Sequence, residues 1–215
     1  GIDVIITDHH EPVRKSEVRS QKSEVDEFLL PKAVAVVNPK LGTQSRTCPE
    51  TSSGLAVLSG AGVALKLVQA LAMTIDLQYT IREFLDLAAI GTIADVVPIT
   101  GENRVIVSNG MPLINQGIRP GIMALLKVSG MQGREIKAGR ISFTLIPRIN
   151  AAGRIAESKD VVKLLTTDSE HEAEEIALWL DRLNSERQQI EEKLFQEALD
   201  KLNEKKPSSA IVLAS

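Results

Sequence analysis

The 215-residue chain has the composition of a globular protein: 43% of its residues are hydrophobic, and none of its apolar stretches reaches the ~20 residues that cross a bilayer. Its net charge of −3 excludes a bulk electrostatic attraction to nucleic acid. Residues 170–206 carry 11 acids against 6 Lys and Arg, a net charge of −5, so the rest of the chain carries +2. This distribution does not exclude a local basic groove that binds nucleic acid. The single Cys48 cannot form an internal disulfide, and we therefore predict a cytoplasmic protein without a membrane anchor.

The first part of the chain combines strand-like and helix-like patterns. Residues 2–7 and 33–37 are short, nearly continuous β-branched runs, which are typical of strands buried on both faces of a parallel sheet. Between them, residues 13–32 are charged and almost free of core residues, which predicts a solvated and weakly ordered insertion. A Gly- and Ala-rich helix is predicted from residue 53, with small residues that permit close packing, and a second apolar segment covers 81–94.

Helices dominate the rest of the chain. Two short helices are predicted at 102–116 and 119–128, separated by Gly117 and Pro120. Apolar residues spaced by three, four or seven positions over 169–205 predict one long amphipathic helix. At ~1.5 Å per residue it would span roughly 50 Å, so we expect it to bridge two bodies. The predicted fold class is therefore α/β: a partial parallel sheet flanked by helices, followed by a long connecting helix.

The first candidate site lies in VIITDHH, residues 4–10. A strand that delivers Asp8, His9 and His10 at its carboxyl end places them where open α/β sheets bind ligands. Imidazole and carboxylate together suit Mn, Fe or Zn better than Mg or Ca alone, and adjacent side chains can diverge, one to a metal and one to a substrate. The alternative is a polar strand end that contributes only hydrogen bonds.

Two further segments carry candidate residues. Asp95 lies in AAIGTIADVVPI, where an acid between apolar runs is costly unless it is paired or binds a cation; the alternative is a helix cap or a hydrogen-bonded acid. In IPRINAAGR, Arg148 and Arg154 flank Asn150 and a predicted turn of small residues, where backbone could approach an anion and both guanidinium groups could contact it. The alternative there is a set of surface ion pairs.

Five segments in this order carry a resemblance to a known family: VIITDHHEP, LSGAGVALKL, AAIGTIADVVPI, PRINAAGR and LDRLNSERQQIE. The chain resembles the DHH phosphoesterases, specifically their exonuclease branch, over most of its length apart from residues 13–32 and 41–52. The resemblance implies a metal-dependent hydrolase that digests single-stranded DNA from 5′ to 3′ in DNA repair and recombination. It also implies two divalent ions, Mn or Mg, a monomeric intact protein, and a helicase or single-strand-binding protein as candidate partners.

The resemblance assigns roles to individual residues. His9 and Asp95 correspond to metal ligands of the family. Among the catalytic residues, His10 corresponds to the histidine that faces the scissile phosphate, and Asp8 to an acid that orients the site. Three residues correspond to the segment that contacts DNA phosphates or the 5′ end: Arg148, Asn150 and Arg154.

The resemblance also implies domain boundaries. Residues 1–168 correspond to the C-terminal part of the phosphoesterase domain, 169–206 to an interdomain connecting helix, and 207–215 to the first strand of a further domain. The acidic motifs that precede DHH in the family have no counterpart here, so we expect a fragment with little or no nuclease activity. Two alternatives remain: a phosphoesterase acting on small nucleotides or oligoribonucleotides, which the long helix disfavours, and a non-catalytic replication scaffold, which the intact histidines and Asp95 disfavour.

Overall fold

The computed structural model describes four ranges of the chain: residues 2–13, 28–42, 54–155 and 158–203. None of the helices within these ranges is both long enough and apolar enough to cross a membrane. Most of the charged insertion and the whole of the strand predicted at 207–215 lie outside the described residues.

The chain forms two compact units. The first unit comprises Gly1–Gln116 together with Ile136–Ala138, and the second comprises Gly117–Glu135 and Gly139–Ser215. The domain boundary at residue 168 came from the family resemblance and stays a prediction.

The sheet of the first unit has two described strands, β1 (Ile5–Thr7) and β2 (Ala35–Val37). They pair in parallel with Ile5 opposite Ala35, and together with the surrounding helices they confirm the predicted α/β fold class. The prediction that both strands are buried on both faces is wrong for the described residues, because Ile5 is 53% exposed. Each described strand has a single neighbour in the sheet, so much of its apolar surface stays uncovered.

The helices of the first unit are α1 (Gly60–Thr74), α2 (Leu85–Ala94) and α3 (Gly101–Gln116), with a 3₁₀ helix at Gln78–Phe84. The α3 prediction is confirmed to within one residue, and the predicted segment 81–94 divides between the 3₁₀ helix and α2.

The predicted helix from residue 53 is interrupted: residues 54–55 are helical, a turn follows, and α1 begins at Gly60 because Ser59 caps it. The Ser59 hydroxyl accepts a hydrogen bond from the Gly62 N–H at 3.0 Å, as expected of a serine N-cap. The same Oγ lies 2.9 Å from Oγ1 of Thr92 on α2, and both side chains are fully buried. One serine therefore begins α1 and links it to α2.

Close helix packing in the first unit depends on two glycines. A Cβ added at Gly91 of α2 would lie 2.4 Å from the Ala61 Cβ of α1. A Cβ added at Gly110 of α3 would lie 2.3 Å from the Leu85 carbonyl oxygen of α2. The predicted close packing through small residues is thus confirmed, since neither helix pair could approach this closely with a larger residue.

The first unit contains a second, short piece of the chain. The Asn115 side chain at the end of α3 donates from Nδ2 to the Ile136 carbonyl at 3.0 Å and accepts from the Ile136 N–H at 2.7 Å. Ile136 is only 2% exposed. A single amide side chain thus pairs with both backbone groups of a buried residue 21 positions away.

The second unit consists of helices: α4 (Pro120–Val128), α5 (Ala138–Ile155, whose first residue belongs to the first unit), α6 (Lys159–Thr166) and α7 (Glu170–Asn203). The predictions of a helix at 119–128 and of one long helix at 169–205 are confirmed. The 34 residues of α7 span about 50 Å. Helix α6 was not predicted.

The predicted small-residue turn within IPRINAAGR is wrong. Ala151 and Ala152 lie inside α5 and are fully buried, although Pro147 also lies within that helix. Alanine is the best helix former, and burial of two alanine side chains outweighs the turn propensity of the neighbouring Gly153.

Candidate metal centre

The turn after β1 is organised by Asp8. Its Oδ1 accepts hydrogen bonds from the backbone N–H of His9 at 2.8 Å and of His10 at 3.2 Å, and it lies 2.7 Å from Nδ1 of the His10 ring. The side-chain hydrogen bond with His10 lowers the pKa of the Asp8 carboxyl, and the backbone hydrogen bonds lower it further, whereas partial desolvation opposes them. Asp8 therefore orients His10, whose side chain is 79% exposed.

Sequence reasoning missed Asn38, which holds the same turn from the neighbouring strand. Asn38 directly follows β2, is buried, and donates from Nδ2 to the His10 carbonyl at 2.9 Å. Its Oδ1 accepts from the Lys40 N–H at 3.0 Å. The sequence pattern alone indicates Asn38 only as a residue that ends the strand. Because adjacent parallel strands end at the same edge, a polar residue after β2 was a detectable neighbour of the residues after β1.

The structure brings His9 and Asp95 together. Nε2 of His9 lies 3.3 Å from Oδ2 of Asp95, and the two side chains are 18% and 32% exposed. Gly60, the first residue of α1, also contacts His9, since a Cβ added there would lie 3.3 Å from the imidazole Cδ2. The His9 and His10 rings lie side by side, with centroids 4.5 Å apart and planes tilted by 49°. His9 thus lies between Asp95, His10 and the start of α1.

Asp95 occupies the C-cap of α2. Its backbone N–H donates to the Gly91 carbonyl at 3.1 Å, and the residue after it, Val96, has φ 57°. A β-branched residue in this left-handed region is a steric outlier that costs roughly 1–2 kcal/mol. Backbone strain of this kind is concentrated at functional sites, and here it directly follows Asp95.

The geometry of His9 and Asp95 fits one divalent ion. Imidazole nitrogen and carboxylate oxygen bind such ions at about 2.1 Å, which places two neighbouring octahedral ligands about 3.0 Å apart. The 3.3 Å between Nε2 and Oδ2 is close to that separation. Within the described residues, however, no cluster of three or more His, Cys, Asp or Glu side chains could hold a metal. On its own the pair therefore offers two donor atoms, which is not a full coordination sphere.

The three residues predicted to contact DNA lie in α5, in the second unit. Nε and Nη2 of Arg148 lie 2.8 and 2.7 Å from Oδ1 of Asp181 on α7, and Nη1 donates to the Thr144 carbonyl at 2.7 Å. Asn150 is exposed. Arg154 belongs to the last turn of α5, and its side chain falls outside the described part of the chain.

Comparisons with known proteins identify relatives along the whole chain, although no family model matches it. The chain is 39% identical over 215 residues to the single-stranded-DNA-specific exonuclease RecJ of Bacillus subtilis, covering 100% of the chain and 24% of that relative. It is 39% identical over 210 residues to the exonuclease of the same name from Escherichia coli, covering 93% of the chain and 33% of the relative.

Solved structures agree with this similarity. The crystal structure of exonuclease RecJ bound to manganese matches with a TM-score of 0.72 at 35% identity, covering 94% of this chain and 45% of that one. RecJ from Thermus thermophilus in complex with Mn²⁺ matches with a TM-score of 0.68 at 34% identity, covering 94% of this chain and 27% of that one.

The fold and the His9–Asp95 pair define a class: an α/β protein in which the end of a parallel strand and the end of a helix bring together two donors suited to a divalent metal. Within that class the similarity is specific. The chain is similar to the RecJ exonucleases over 93% to 100% of its own length, and it spans 24% to 33% of the length of these curated relatives.

Proposed function

We propose that the chain is part of a metal-dependent exonuclease of the DHH type that hydrolyses phosphodiester bonds of single-stranded DNA from 5′ to 3′, in DNA repair and recombination. The observation that carries this proposal is the 3.3 Å approach of His9 Nε2 to Asp95 Oδ2. The names of the relatives, single-stranded-DNA-specific exonucleases, support the substrate class.

The metals of this proposal are two divalent ions, Mn or Mg, and the related structures contain Mn²⁺ or Mg²⁺. When bound, such ions lower the pKa of a bound water and offset the charge of the phosphate. His9 and Asp95 would hold one of them from the ends of β1 and α2. His10, whose ring Asp8 orients through Nδ1, presents an exposed imidazole to the phosphate.

Substrate binding is assigned to α5. Asn150 and Arg154 lie four residues apart in the sequence, about one helical turn, so helix geometry puts both positions on one face of α5. The proposal includes a cytoplasmic protein that is monomeric when intact, with a helicase and a single-strand-binding protein as partners, and α7 as the connection to a further domain.

The test uses the full-length natural protein. His9→Ala and Asp95→Ala should each abolish Mn²⁺-dependent cleavage of labelled single-stranded DNA, because each removes a metal ligand, while DNA affinity stays within about threefold of the unmodified protein. The matched control is His171→Ala, which removes a histidine that is 84% exposed on α7 and should leave cleavage unchanged. Normal cleavage by the His9→Ala protein would contradict the assigned metal role.

The 215-residue chain alone should have little or no nuclease activity, since the two ligands proposed among its described residues bind a borderline divalent ion poorly. A digestion assay over a range of Mn²⁺ concentrations compares it with the full-length protein. Turnover close to the full-length rate would contradict this expectation.

A further inference from the structure

The Arg148 side chain is engaged within the protein. Of its five N–H donors, Nε–H and one Nη2–H face Asp181, and one Nη1–H donates to the Thr144 carbonyl. The side chain is only 15% exposed, whereas that of Asp181 is 32% exposed. A guanidinium that contacts a DNA phosphate needs free and accessible donors, and most of the donors of Arg148 are already used.

Helical geometry separates Arg148 from the other predicted DNA contacts. Successive residues of an α-helix are rotated by about 100°, so Arg148 and Asn150 point about 200° apart. Arg148 belongs to the face that also contains the fully buried Ile141 and Leu145. Asn150 is exposed and shares its face with Phe143, seven residues earlier, which is 82% exposed. The α5 face with Arg148 is therefore internal, and Phe143 and Asn150 are exposed on the opposite side, next to the buried Ile146.

The position of Arg148 next to Pro147 explains why α5 needs this ion pair. Proline lacks an N–H and crowds the carbonyl four residues earlier, so it weakens the helix at that turn. Arg148 donates to the Thr144 carbonyl in the same turn and reaches Asp181 on α7.

From these contacts we infer that Arg148 is a positioning residue and not a phosphate contact. It fixes α5 against α7 through Asp181 and so presents the opposite face, with Asn150 and Arg154, to single-stranded DNA. The part of this inference that concerns DNA rests on the proposed function. The ion pair itself does not depend on it.

Asp181 distinguishes the two roles of Arg148. If Arg148 bound a phosphate directly, Asp181 would compete with the DNA for it, and Asp181→Asn would leave affinity unchanged or raise it. If Arg148 positions α5, Asp181→Asn should weaken DNA binding in the same way as Arg148→Gln. The two roles therefore predict different changes in DNA affinity when the negative charge of Asp181 is removed.

The experiment measures single-stranded DNA affinity of the full-length protein between about 50 and 200 mM salt for Arg148→Gln, Asp181→Asn, the double variant and Arg154→Gln. Arg148→Gln and Asp181→Asn should each raise Kd about tenfold, and the double variant should be no weaker than either single variant. The slope of log affinity against log salt should stay unchanged in these three and fall by about 0.7 in Arg154→Gln, which loses a phosphate contact.

Steady-state kinetics give a second measurement. Arg148→Gln and Asp181→Asn should raise KM and leave kcat within about twofold, because His9, His10 and Asp95 are untouched. Three results would overturn the inference: Asp181→Asn binding as well as the unmodified protein, a salt slope that falls by about 0.7 in Arg148→Gln, or a fall in kcat equal to the fall in kcat/KM.

Thermal unfolding of the same variants separates failure of this inference from failure of the proposed function. The losses in Tm of the two single variants should not add in the double variant, because either substitution alone removes the ion pair. Additive losses overturn the positioning role. If the unmodified protein binds no single-stranded DNA, the proposed function fails, and the unfolding data still decide whether Arg148 and Asp181 act as a pair.

Discussion

The fully buried hydroxyl pair of Ser59 and Thr92 gives a prediction whose magnitude follows from two hydrogen bonds. Ser59→Ala removes the cap that accepts from the Gly62 N–H, which typically costs ~1 kcal/mol. It also leaves the Thr92 hydroxyl, 2.9 Å from Ser59 Oγ, without that partner in the core, which costs about 1–3 kcal/mol. The free energy of unfolding of the chain should therefore fall by about 2–4 kcal/mol.

Urea unfolding followed by far-UV circular dichroism measures this loss. With a slope of about 2 kcal/mol per M urea, the midpoint should fall by about 1–2 M. The control is Thr92→Val in the Ser59→Ala background, which replaces the orphaned hydroxyl by a methyl group of similar shape and should recover the part of the loss that is not due to the cap. A midpoint shift below about 0.25 M for Ser59→Ala, or no recovery by Thr92→Val, would refute the reasoning.

Two further stability predictions follow from backbone positions. Gly110→Ala would place a Cβ 2.3 Å from the Leu85 carbonyl oxygen and should destabilise the chain by about 1–3 kcal/mol. Gly139→Ala on α5, where an added Cβ would have nothing within 4 Å, should stabilise the chain by about 0.5–1 kcal/mol. Shifts of Tm in the same direction for both variants would contradict this prediction. Val96→Gly should stabilise by about 0.5–1 kcal/mol, because relief of the strain at φ 57° exceeds the entropy lost by glycine and the side chain is already 88% exposed. A lower Tm for Val96→Gly would count against the strain at this position.

Local chemistry determined which elements could be predicted. Helices α3 and α4 have strong apolar periodicity and are separated by Gly117 and Pro120, so their bounds follow from nearby residues. The α5 region was misjudged because Ala151 and Ala152 beside a glycine have the composition of a turn. Their burial in the second unit, which no local pattern encodes, decides in favour of helix.

The candidate site shows the same limit. The strand end with Asp8, His9 and His10 was visible as a chemical pattern, but the approach of Asp95, 86 residues after His9, was expected only through the family resemblance. Asn38 escaped notice because its role is a hydrogen bond to the His10 backbone, which depends on strand pairing and not on sequence spacing.

The two-piece construction of the first unit has a consequence for how the chain is made. Ile136 is 2% exposed and hydrogen bonds to Asn115 at the end of α3. In the sequence, residues of the second unit separate the two. A ribosome therefore releases residues 117–135, which belong to the second unit, before the first unit has received its last buried piece. The first unit is completed only after residue 138 has been made, and a product cut after Gln116 would leave the Asn115 amide without its two hydrogen bonds to Ile136.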